Sequence, residues 1–211
     1  MRLELRLVCT RLCLLACLAT PYATQLAASQ EAPSDVTVIV DIKGPYSQIA
    51  IKEMQREATQ IIHTSGVRLD WQRRENIANT VFNDLVVMTF KGSCTFDPAP
   101  PIYDELGPYA ITRTANGEVQ PFGEVDCDRV VNSVRTAMFG EDYSRGELLI
   151  GRALGRVVAH ELVHMLTRSG QHAHDGVQKA ALSGKQLISR SLPLSAMDVD
   201  RLRLERHTVR P

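Results

Sequence analysis

Aromatic residues are scarce in this chain, 5% of 211 positions with Trp71 the single tryptophan, and neither sign of charge dominates, since 24 Lys and Arg face 24 Asp and Glu. Without a basic surplus, nothing points to nucleic acid or to an anionic membrane surface as a partner. Beyond the N-terminus no stretch approaches the roughly 20 apolar residues of a membrane-spanning helix. No internal repeat or low-complexity tract is evident. Two narrower gaps bear on chemistry: glutamate is missing between Glu161 and Glu205, and tyrosine is missing after Tyr143.

Cysteine is also sparse. Three of the five, Cys9, Cys13 and Cys17, fall in an N-terminal segment laid out as a secretory signal peptide. Residues 1–11 are net positive, Leu12 to Ala19 is apolar, and Ala27, Ala28 and Ser29 offer a small-residue cleavage site. The expectation is a signal peptide over 1–28, a linker over 29–35, a single domain over 36–211, and a secreted or periplasmic monomer with no propeptide of useful length. Leu14-Leu15-Ala16-Cys17 is a poor lipoprotein box, so no lipid anchor at Cys17 is expected. Losing Arg2, Arg6, Arg11 and Glu4 with the leader takes the charge from zero to about −2. Cys94 and Cys127 then remain as an even pair, which in an oxidising compartment form a disulfide.

The most informative feature is His160-Glu161-Leu162-Val163-His164. Residues four apart share a helix face with Cβ atoms about 5–6 Å apart, so both imidazoles reach one Zn²⁺. Glu161, offset from that face, is placed to act as general base in metal-assisted hydrolysis. Apolar residues at 150, 154, 157, 158, 162, 165 and 166 recur in helical spacing and put the motif near the end of a mostly buried helix. Two histidines and a glutamate there are costly to bury unpaired, and a metal partners all three. A third ligand must come from the segment after the helix, which offers His172, His174 and Asp175. Gly170 is read as the flexible point where the chain leaves the helix and turns back.

These residues resemble the metzincin-like zinc peptidases, whose pattern is His-Glu-x-x-His-x-x-Gly-x-x-His. The resemblance covers the active-site helix and the following loop. It departs at Thr167, where that family has Gly, and at Gly170, where it has the third His. The chain is closer to small secreted bacterial zincin-like proteins in which seven residues separate the motif from a Ser-x-x-His; Ser169-Gly170-Gln171-His172 has that spacing, and the runs from Gly123 to Arg129 and from Gly151 to Ala159 also read like that group. The resemblance implies His172 as third ligand. His174 is then a donor to the oxyanion or an outer-shell group, and Asp175 an orienting carboxylate. With no later tyrosine, other oxyanion donors are Tyr103, Tyr109, Tyr143 or backbone amides. A Met-bearing turn would be sought at Gly176-Val177-Gln178, which has no Met. Met197 lies in Ser195-Ala196-Met197-Asp198, a capping box opening a C-terminal helix. Peptide deformylases recruit a Cys as ligand, but Gly92-Ser93-Cys94-Thr95 lacks their Gly-Cys-Leu-Ser block.

Periodicity predicts strands at Val36–Ile42, Val67–Gln72, Asp84–Phe90, Tyr109–Thr114 and Glu118–Val125, with Asn116-Gly117 turning the last pair into a hairpin. Helices are predicted at Ser47–Ile62 and Val130–Met138, and a Pro-rich loop at Lys91–Gly107. Strand, backing helix, further strands and a histidine-bearing helix is the order of a zincin domain, an α+β fold with a mixed sheet. There Glu118–Val125 is expected as an exposed edge beside the metal, against which an extended peptide pairs. The expected function is zinc-dependent hydrolysis of a protein or peptide substrate. The alternatives are an inactive exported scaffold of the same fold, or a zinc hydrolase acting on a non-peptide bond such as a peptidoglycan or small amide.

Overall fold

The computed structural model describes residues 36–77, 80–82, 84–96 and 107–208; the leader, the linker and the prolines at 98, 100 and 101 lie outside these. Strand β1 (Val36–Ile42) is followed by α1 (Gln48–His63), β2 (Leu69–Arg73), β3 (Leu85–Lys91), β4 (Ala110–Ala115) and β5 (Glu118–Asp126). Helices α2 (Cys127–Ala137), α3 (Gly146–Thr167), α4 (Gly184–Ile188) and α5 (Ala196–Thr208) complete the order. This is the expected α+β class with a five-stranded mixed sheet. No helix among the described residues is long and apolar enough to cross a membrane.

Local chemistry accounts for most boundaries. Ser47 caps α1 by accepting the Ala50 amide at 3.3 Å, and Gly66 at φ +85° makes the turn that leads out of it. The β4–β5 hairpin turns through Asn116 and Gly117, both at positive φ, as the two-residue primed turn requires. α2 begins three residues before its expected start because Asp126 caps it, accepting the Arg129 amide. Cys127 therefore stands on the first turn, bonded to Cys94 with Cα atoms 5.0 Å apart. The short α4, which has no apolar period of its own, is closed by a capping box between Ser183 and Gln186.

The strands line up in the order β2-β1-β3-β5-β4, parallel except for β4, which runs antiparallel to β5. The expected edge is therefore corrected: Glu118–Val125 is interior, its ladder shared between β3 and β4, and the outer strand is Ala110–Ala115. A hairpin has two sides, and sequence does not say which joins the sheet. Between Thr112 and Thr114 the β4–β5 register slips; Pro121, with no N–H to offer, lies within that irregularity.

One face of the sheet is covered by helices. Val38, Val40, Val86, Met88, Phe90 and Val125 pack there with the apolar sides of α1, α2 and α3 into one core. The α1–α3 contact is close because α3 presents glycine: a Cβ on Gly155 would stand 2.7 Å from Met54 O and one on Gly151 2.5 Å from Ala50 O. Arg156, beside Gly155, is 1% exposed and bonds Glu57 of α1 at 2.9 Å. Its other nitrogens reach the carbonyls of Gln186, Leu187 and Ser189, tying α4 to the two long helices.

Candidate metal centre

The last two turns of α3 carry His160, Glu161 and His164, and the helix ends one turn later. The left-handed residue that ends it is Arg168 at φ 48°, with the Ser169 amide donating to His164 O at 3.1 Å. Gly170, expected to make this turn, has no positive φ; the αL cap, two residues earlier, already reverses the chain. From there the loop brings His172 back over the helix. The three imidazoles form a near-equilateral group, with ring centroids 4.8, 5.1 and 4.8 Å apart. Their donor nitrogens all lie within 4.8 Å of one another, so this cluster could hold a metal ion. His174 and Asp175 are exposed and do not belong to it.

Tautomers are fixed from outside the cluster. His160 Nδ1 is 2.9 Å from Val177 O and His164 Nδ1 is 2.7 Å from Ser169 O. A carbonyl only accepts, so each Nδ1 carries the proton and each Nε2 presents its lone pair. The two Nε2 atoms face each other at 3.1 Å. Two lone pairs so placed repel unless a cation lies between; nitrogens at about 2.0–2.1 Å from one tetrahedral centre stand roughly 3.3 Å apart. The donor set thus fits a divalent ion with a preference for nitrogen ligands. Burial pushes the His160 imidazole down to about 4, with His164 and His172 adding to the effect, and burial also lowers His164, where His172 adds to it. Both are neutral at physiological pH, the ligating form.

Glu161 is 5% exposed, and burial raises its pKa. Thr112 of β4 opposes that shift by donating its hydroxyl to Glu161 Oε2 at 2.6 Å, leaving Oε1 open. A cleft of ≈ 630 Å³ runs between β4 and the segment 179–182, with the histidines and Glu161 on its floor. Tyr109, Val119, Val157 and Leu182 make part of it apolar, and Lys179 is the one cation among its lining residues. The Tyr109 hydroxyl is engaged with Ser133 at 2.6 Å, and Tyr143 stands 6.3 Å from the Phe96 ring, outside the cleft lining. Tyr103 lies outside the described residues.

Two participants were not legible in the sequence. Thr112 comes from a strand 49 residues away. Gln178 is fully buried, its amide nitrogen 3.3 and 3.1 Å from the two ring nitrogens of His164. Near-equal distances to both put the amide over the ring face and not on either lone pair. The turn at 176–178 thus lies under the histidines, where a Met-bearing turn was sought, with Gln in its place. Met197 is half exposed, and Ser195 caps α5 as expected, its Oγ accepting the Asp198 amide at 3.2 Å while its hydroxyl donates to Asp198 Oδ2 at 2.6 Å. The chain matches no protein-family model and no curated protein.

Proposed function

We propose that this chain is a zinc-dependent peptidase of zincin-like fold, exported behind a leader at 1–28, with His160, His164 and His172 as ligands and Glu161 as general base. The observation that supports this most directly is the meeting of three imidazoles with a buried carboxylate on the floor of a cleft bordered by an edge strand. Zinc supplies Lewis acidity there, polarising a carbonyl and bringing the pKa of water to about 7. The chain's own groups do the rest. The free side of β4 offers amides and carbonyls to an extended peptide. Thr112 holds Glu161 by Oε2, so Oε1 takes the proton of the attacking water and returns it to the leaving amine. Tyr109, Val157 and Leu182 receive an apolar side chain beside the scissile bond. The Cys94–Cys127 disulfide suits an oxidising compartment.

The engagement of Tyr109 with Ser133 favours a second reading, a zinc-holding protein of the same fold that hydrolyses nothing, because it removes one candidate oxyanion donor. Mature protein and Glu161→Gln separate the two. Each should contain about one zinc per chain, and only the parent should cleave a mixed peptide library. Zinc without cleavage by either protein supports the second reading; no zinc in the parent after refolding with the metal sinks both.

A further inference from the structure

Helix α5 carries a buried carboxylate in its first turn. Asp198 is 0% exposed; its Oδ2 accepts the Ser195 hydroxyl at 2.6 Å and its amide donates back to Ser195 Oγ at 3.2 Å. A capping box needs no charge, as the Ser183–Gln186 box of α4 in the same chain demonstrates. The other oxygen, Oδ1, is buried with no hydrogen-bond partner among the described residues. No Lys or Arg among the described residues pairs with Asp198. A buried carboxylate in that condition is costly unless a positive charge lies near.

The packing around it says where that charge belongs. The segment leading into α5 lies against the turn under the histidines: the Val177 amide donates to Pro193 O at 2.9 Å, and a Cβ on Gly176 would stand 2.5 Å from the same oxygen and 3.1 Å from Ser195 N. That turn supplies the carbonyl that holds His160 and the amide that covers His164. One turn beyond Asp198, Arg201 reaches Gln171, the neighbour of His172, at 3.0 Å. The first turns of α5 therefore back the loop and turn that hold all three imidazoles.

We propose that Asp198 is a positioning residue for the metal site, a fixed negative charge outside the ligand shell that raises affinity for a divalent cation on His160, His164 and His172 without touching it. The inference rests on the metal reading of that cluster. It implies reciprocity: the cation relieves a buried unpaired carboxylate, and the carboxylate offsets part of the cation's charge.

The test compares the mature parent protein with Asp198→Asn, which removes the charge, and Ser195→Ala, which removes the cap but keeps the charge. Zinc affinity is read by chelator competition at 10 °C, where all three are folded, and melting temperature is read on the zinc-free proteins. Asp198→Asn should weaken zinc about tenfold, the lower end of what outer-shell partners cost, while its zinc-free melting temperature is not below that of Ser195→Ala. Ser195→Ala should melt earlier than the parent and bind zinc within about twofold of it. A merely structural Asp198 predicts that both variants shift together. Asp198→Asn binding zinc as tightly as the parent, or Ser195→Ala weakening it equally, overturns the proposal. A parent that binds no zinc instead overturns the metal reading on which it rests.

Discussion

Replacing Arg156 by methionine tests whether one guanidinium holds the far wall of the cleft. Methionine keeps most of the apolar stem and removes every donor. Lost are the bond to Glu57 at 2.9 Å and those to Gln186 O, Leu187 O and Ser189 O at 2.6, 3.2 and 2.8 Å. Glu57, 8% exposed, is left with Arg56 at 3.1 Å, a cation whose side chain is 52% exposed. Removing one partner of a buried ion pair costs about 3–5 kcal/mol. A half-exposed replacement such as Arg56 returns at most about 1 kcal/mol, and the freed carbonyls of α4 can turn to water. The expected loss is about 3 kcal/mol, a large share of a domain's 5–15 kcal/mol. Urea unfolding followed by Trp71 fluorescence reads it, since the Trp71 indole donates to Thr59 of α1 at 2.9 Å and senses whether that helix stays docked. Glu57→Gln and the double variant complete a cycle. A loss below about 1 kcal/mol for Arg156→Met, or strict additivity of the two single changes, would refute the claim that the pair is one buried unit.

Reducing the Cys94–Cys127 bridge, or changing both residues to serine, opens a loop of 33 residues and should cost about 3–4 kcal/mol by chain entropy; an unchanged urea midpoint would contradict that. Thr112→Val removes the hydroxyl from Glu161 while keeping shape, and turnover of a peptide substrate should fall about tenfold with zinc content intact, whereas Thr112→Ser should recover most of it; equal loss in both would assign Thr112 to packing alone. In the zinc-free protein the folded-state pKa of His160 lies below its unfolded value of 6.5, at about 4. Below pH 6.5 the unfolded chain takes up the proton first, so stability is level above that pH and declines toward pH 4 by up to about 3 kcal/mol. His160→Gln should flatten that part of the urea-midpoint profile between pH 7.5 and 4.5, and an unaltered profile would count against it.

What the sequence disclosed and what it hid divide along separation in the chain. His160 and His164 were legible because helical geometry alone puts them on one face, whereas the loop after the helix offered His172, His174 and Asp175 alike and only the family resemblance pointed to His172. Asn116-Gly117 and Ser195 announced a turn and a cap through chemistry confined to four residues. The edge strand was misplaced because period-two patterning says which residues face a core, not which hairpin arm joins β3. The helix ends at Arg168 and not at Gly170, since a helix end is set by where its last carbonyls find donors. Thr112, Gln178 and Glu57 act across the fold, and nothing local marks them as partners of Glu161, His164 and Arg156.

The oxygens that orient His160 and His164 belong to the main chain of Val177 and Ser169. No side-chain substitution at either place deletes the hydrogen bond, so the orientation of the two ligands does not depend on the identity of residue 169, and at 177 asks only for a side chain that fits the core, where Val177 is fully buried. Tolerance of that kind is paired with an intolerance: a residue inserted or removed between Ser169 and Val177 changes the spacing on which the two carbonyls and His172 jointly depend. Lineages of such a chain would vary at the exposed positions of this segment and hold its length constant, so length is a useful guide when tracing its relatives.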